Sequence, residues 1–168
     1  MTETSLNDSP RALRKRFYNA TIAEMRMATD GLMIVRVAYD LERPQIKPGQ
    51  YLVLGLGNWE PRVDRILAVE PDREPRLVKR AYSVSCPLFE NGRIVGVNDG
   101  DFQEFCIRLV DRVSDRPAML TPRLFCLKPG DRLYIGERPH GTYTLEPVAD
   151  SDTVVLLASG TGESPHNA

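Results

Sequence analysis

The sequence predicts an all-β protein: an antiparallel barrel or sandwich with one short helix, followed by the first strand of a parallel α/β unit. Three observations carry this. Short stretches of alternating apolar and polar residues recur between turns rich in Gly and Pro, the pattern of an antiparallel sheet with one buried face. A single stretch, Thr121–Leu127, has helix-start chemistry. Finally, Thr153–Ala158 is apolar without alternation and runs straight into Ser159-Gly160-Thr161-Gly162, as a strand buried on both faces does when it opens a parallel sheet.

Residues 1–16 are polar and end in a basic cluster, Arg11, Arg14, Lys15 and Arg16, so a flexible N-terminal arm is expected. Thr21–Met27 and Met33–Val37 alternate, and Asp30-Gly31 supplies the turn between them, which reads as a hairpin. Lys47-Pro48-Gly49 is a second turn, leading into the apolar strand Gln50–Leu56. The loop Gly57–Arg76 carries Pro61, Pro71 and Pro75, too many for a buried strand or a helix. Leu77–Ser85 reads as the next strand. In Glu104–Val110, Phe105, Ile107 and Leu109 fall on one face and Glu104, Cys106 and Arg108 on the other.

Thr121 fits an N-cap and Pro122 a first helical turn, and Lys128-Pro129-Gly130 ends that helix. Arg132–Ile135 and Thr142–Leu145 follow as short strands. The apolar run at 153–158 then has nothing to pair with in the 168 residues. The expected organisation is an arm over 1–16, one barrel domain over 17–150, and the truncated start of a second domain over 151–168.

Composition narrows the functional classes. The chain has 22 basic and 23 acidic residues, a net charge of −1, without the basic excess of a nucleic-acid-coating protein. Its longest apolar stretch, Val154–Ala158, is far too short to span a membrane. The polar N-terminus lacks the apolar core of a secretory signal. The cysteines Cys86, Cys106 and Cys126 form no CxxC pair, which points to reduced thiols. A cytoplasmic location is expected. No metal is expected either, because His140 and His166 are not at ligand spacing from any Cys.

The chemistry-bearing stretch is Arg80-Ala81-Tyr82-Ser83, at a strand end. A Tyr ring can cover a flavin face. A neighbouring Ser hydroxyl or amide can reach the ring nitrogen that takes up a proton on reduction, and an Arg can neutralise a pyrophosphate. Arg80 and Tyr82 share a face of a regular strand and Ser83 points away, so such a cofactor would lie across the strand end. On these four residues alone, a half-buried barrel strand is the favoured explanation.

Together with its surroundings, the stretch resembles the flavin half of ferredoxin/flavodoxin–NADP reductases of the bacterial type. The resemblance runs through Lys47-Pro48-Gly49-Gln50-Tyr51, Arg80-Ala81-Tyr82-Ser83, Glu104-Phe105, Leu120-Thr121-Pro122-Arg123-Leu124, Leu127-Lys128-Pro129-Gly130-Asp131 and Gly160-Thr161-Gly162, in the family's order. It implies a six-stranded antiparallel (Greek-key) barrel that binds FAD, followed by a nucleotide-binding domain for NADPH. By the same resemblance Arg80, Ala81, Tyr82 and Ser83 form the flavin-binding motif, with Tyr82 and Ser83 nearest the chemistry. Cys106 and Ile107 lie along the cofactor, Met119, Leu120 and Thr121 hold the pyrophosphate, and Gly160, Thr161 and Gly162 receive the pyridine nucleotide. Ala118 departs from the pattern, standing where Gly is common.

The resemblance therefore implies an oxidoreductase that passes electrons between NADPH and a small redox protein, ferredoxin or flavodoxin, through FAD. The 168 residues alone are expected to hold FAD but not to turn over. Two other readings stay open: a flavin reductase of the same barrel type with a different acceptor, and a barrel that binds flavin or another ligand without catalysis.

Overall fold

A computed structural model of the chain describes residues 9–63 and 74–168; the middle of the proline-rich loop, with Pro71, lies outside the described residues. The core is a six-stranded antiparallel sheet built from β1 (Ala20–Thr29), β2 (Leu32–Tyr39), β3 (Tyr51–Gly57), β4 (Leu77–Ser83), β7 (Phe102–Arg108) and β10 (Arg132–Ile135). Its order is β4-β3-β10-β1-β2-β7. The β1–β2 hairpin, the strand after the Lys-Pro-Gly turn and the alternation of β7 match the pattern in the sequence.

The alternation explains the burial. Val35 of β2 faces Phe105 of β7 in register, and Met33 faces Ile107; all four are buried. Removing that much apolar surface from water contributes about 1.5–3 kcal/mol per large side chain. Gly49 shapes the entry to β3. Its φ is +89°, and a Cβ there would lie 1.6 Å from the Tyr143 carbonyl oxygen, so only glycine fits. The edge strands β4 and β7 approach each other at one isolated bridge, where the Ser85 amide donates to the Glu104 carbonyl at 2.9 Å.

The structure departs from the sequence reading in five places. Residues 10–16 are not an arm: Pro10–Phe17 is a helix, α1. Its anchor is non-local and hence invisible to periodicity: Leu13 is buried, and the Arg14 guanidinium donates to both Glu60 oxygens, at 2.8 and 2.6 Å. Two small hairpins were not anticipated, β5–β6 (Phe89–Glu90 with Arg93–Ile94) and β8–β9 (Arg112–Val113 with Arg116–Pro117). The first turns on Asn91-Gly92, both with positive φ, a strong hairpin signal flanked here by too little apolar alternation to stand out. Thr142–Leu145 forms no strand, and Tyr143 and Leu145 are exposed.

The helix after the second hairpin, α2, is only Thr121–Leu124, and its cap is Leu120 rather than Thr121. Lastly, Val154–Ala158 joins no sheet among the described residues. Val155 and Leu157 are 73% and 86% exposed, because a strand of this composition is buried only when parallel neighbours cover both faces.

Candidate functional site

The end of β4, the outer face of β7, the turn before α2 and the segment Gly160–His166 enclose a cleft of about 490 Å³. Arg80, Ala81, Tyr82 and Ser83 line it from β4, and Cys106 from β7. Met119, Leu120 and Thr121 line it from the turn, and Thr161 and Gly162 from the C-terminal segment. Consecutive residues of β4, from both of its faces, border this space. Two expected residues stay out of it. Ile107 is fully buried in the core, as its place in the alternation requires, and Gly160 borders two neighbouring cavities instead.

Tyr82 packs against the core with its ring edging the cleft. Burial pushes its phenol well above the ordinary value, outweighing the opposing pull of Arg80, so it stays neutral and presents a flat apolar face. Arg80 is exposed and donates to the Lys79 carbonyl at 2.8 Å. Burial also pushes the Cys106 thiol up, which makes it a wall residue rather than a reactive thiolate.

Thr121 does not cap a helix. Its hydroxyl accepts from the Val110 amide at 3.1 Å and donates to the Val110 carbonyl at 3.3 Å, so it ties the turn to the chain leaving β7. The amides of Met119, Leu120 and Thr121 find no acceptor among the described residues. A four-residue helix has little dipole; what the turn offers an anion is these amides. Behind it, the buried Arg123 guanidinium donates to the Met119 carbonyl at 2.5 Å and the Asn58 carbonyl at 2.7 Å.

Gly160-Thr161-Gly162 does not connect a strand to a long helix. It opens a 3₁₀ segment, Gly160–His166, folded back over β7. Ser164 of that segment is buried, the Tyr143 hydroxyl and His166 Nε2 lie 3.0 Å apart, and the Cys86 thiol donates to the Asn167 carbonyl.

Sequence reasoning missed Arg108, Val110, Val113, Ala118 and Ser164 among the lining residues. Arg108 and Val110 were legible, since they follow Cys106 at two-residue steps in the alternating run, and Ala118 stands beside the predicted turn; Val113 and Ser164 arrive from segments with no periodic signal. A larger neighbouring cavity, about 610 Å³, is also bordered by Cys106. Its wall carries Glu24, Glu104 and Glu163 against Arg26 and Arg36, and Arg36 is already engaged by Glu24, Glu90 and Glu104 at 3.1, 2.8 and 3.1 Å. This acidic excess disfavours a polyphosphate, so the smaller cleft, lined by Arg80 and Arg108, is the better anionic site.

No family model matches the chain. Among curated proteins it is similar to the flavodoxin/ferredoxin–NADP reductase of Rhodobacter capsulatus, 26% identical over 148 residues, covering 86% of this chain and 43% of that protein. It is also similar to the flavodoxin/ferredoxin–NADP reductase of Shigella flexneri, 40% identical over 101 residues, covering 60% of this chain and 34% of that protein. The chain thus spans less than half the length of either relative. Among solved structures, the ferredoxin NADP+ reductase of Neisseria gonorrhoeae with bound FAD and NADP aligns over 89% of this chain and 48% of its own, with a TM-score of 0.63 at 19% identity. The flavohem-like FAD/NAD binding domain of nitric oxide dioxygenase from Vibrio cholerae aligns over 90% and 54%, with a TM-score of 0.63 at 18% identity. At such identities these two share the fold alone. The resemblance in the motifs therefore extends to whole-chain comparison: the chain is similar in sequence to flavodoxin/ferredoxin–NADP reductases over part of their length, and it shares their fold.

Proposed function

We propose that this chain is the FAD-binding part of a ferredoxin- or flavodoxin–NADP oxidoreductase, with the flavin in the 490 Å³ cleft. The carrying observation is that the candidate site residues expected from the sequence, all but Ile107 and Gly160, line one space whose chemistry suits a flavin dinucleotide. The volume falls in the range of about 300–1,000 Å³ for small-molecule sites. Tyr82 offers a ring for the isoalloxazine and Ser83 a hydrogen-bonding group at its edge. Arg80 offers a cation to the pyrophosphate, and the Met119–Thr121 turn offers amides. Bound FAD would supply the exchange between the two-electron chemistry of NADPH and a one-electron carrier. The chain's own residues would bind and orient it, with neutral Tyr82 screening one face from water.

On this reading residues 17–150 form the flavin domain, and 151–168 begin the domain that would receive NADPH. The partner of the whole enzyme would be ferredoxin or flavodoxin, in the cytoplasm; three free cysteines agree with a reducing compartment. A flavin reductase with another acceptor is the second reading, favoured by the equal fold match to a nitric oxide dioxygenase domain. Calorimetric titration with FAD and with FMN tests the cofactor: FAD should bind the more tightly, and equal affinities would overturn the placement of the pyrophosphate. With FAD and an artificial electron acceptor, the 168-residue chain should oxidise NADPH negligibly. Turnover of about 1 per second or more, typical of a complete enzyme, would contradict the proposed domain boundary.

A further inference from the structure

We propose that Arg123 is a positioning residue for the dinucleotide: from behind the turn it holds the Met119–Leu120 peptide so that its N–H faces the cleft. The inference rests on the flavin reading above. Arg123 does not line the cleft; it borders a small cavity on the other side of the turn, with Glu60 and Arg132. Its guanidinium donates to the Met119 carbonyl and to the Asn58 carbonyl. In a trans peptide the C=O and N–H point in opposite directions, and no cis peptide occurs among the described residues. Pulling the Met119 oxygen back toward Arg123 therefore turns the Leu120 N–H forward. The next peptide is fixed in the same sense, because the Leu120 carbonyl accepts from the Arg123 and Leu124 amides at 2.9 and 3.0 Å, which turns the Thr121 N–H away from the helix.

Without the guanidinium, the Met119 carbonyl would lose its partner and could rotate into the cleft, presenting a negative dipole to a phosphate. Arg123 is 4% exposed, so its charge is screened little by solvent and adds a favourable field at the turn. Asn58 is the second anchor. It links the turn to the loop after β3, whose Val63 amide also donates to the Pro122 carbonyl at 3.1 Å.

The test compares FAD and FMN affinities in the unmodified chain, in Arg123→Lys, which keeps the charge but not the fork, and in Arg123→Met, which removes both. FAD affinity should fall about tenfold or more in Arg123→Met, the scale of one lost charge-assisted hydrogen bond. It should fall less in Arg123→Lys, and FMN affinity should change much less in both. Equal losses for the two flavins, or none, would overturn the proposal by making Arg123 a purely structural cation. A second measurement needs no variant: titrating the unmodified chain with ADP, while following amide resonances, should shift Met119, Leu120 and Thr121. Unmoved turn amides despite ADP binding would also overturn it. If instead the unmodified chain shows no preference for FAD, the underlying flavin reading fails first.

Discussion

The Thr121 hydroxyl is paired with both backbone groups of Val110, accepting from its N–H and donating to its C=O. Both residues line the cleft, so this pair ties its two walls together. Thr121→Val keeps the shape and removes the hydroxyl, leaving two backbone groups without a partner. It should cost about 1–3 kcal/mol, seen as a lower urea midpoint at unchanged slope, and FAD affinity should fall with it. An unchanged midpoint would mean that the turn is held by other contacts.

Arg80 and Arg76 are both exposed arginines close to β4, but only Arg80 borders the cleft. Arg80→Ala should weaken FAD by about 1.5–3 kcal/mol if it contacts the pyrophosphate, and should weaken FMN less. Arg76→Ala should change neither by more than about 0.5 kcal/mol, the usual scale for a surface change. Comparable losses at the two positions, measured by calorimetry, would put the phosphate elsewhere.

Glu60 should make the fold sensitive to acid. Burial acts to raise its carboxyl, but hydrogen bonds from Arg14 and Tyr18 and the Arg14 charge outweigh burial and leave it below the usual value. A carboxyl whose folded pKa is depressed contributes stability that is present above its unfolded pKa, near 4.5, and lost as pH falls through the folded one. Unfolding free energy should therefore drop below about pH 4.5 in the native chain, and Glu60→Gln should flatten that limb. Identical acid limbs in the two proteins would remove Glu60 as the cause.

Much of the fold was legible because it is local. The alternation in β1, β2 and β7 and the turns at Asp30-Gly31 and Lys47-Pro48-Gly49 each state their structure within a few residues. What was not legible depends on distant partners. Helix α1 is secured by Glu60, 46 positions from Arg14, and Thr121 is engaged by Val110 rather than by its own helix. The apolar run Val154–Ala158 shows the opposite failure: its composition names a strand, but pairing needs neighbours the described residues do not provide. In the cleft, motif residues on β4 and in the turn could be read from order and spacing. Val113 and Ser164 could not, since a two-residue strand and a 3₁₀ segment place them there.

Where the flavin sits is decided by a crystal structure of the chain soaked with FAD. The isoalloxazine should lie against the Tyr82 ring and the pyrophosphate between Arg80 and the Met119–Thr121 amides, with the Arg36–Glu104 cavity free of cofactor. Flavin density in that larger cavity, or away from Tyr82 altogether, would contradict this placement.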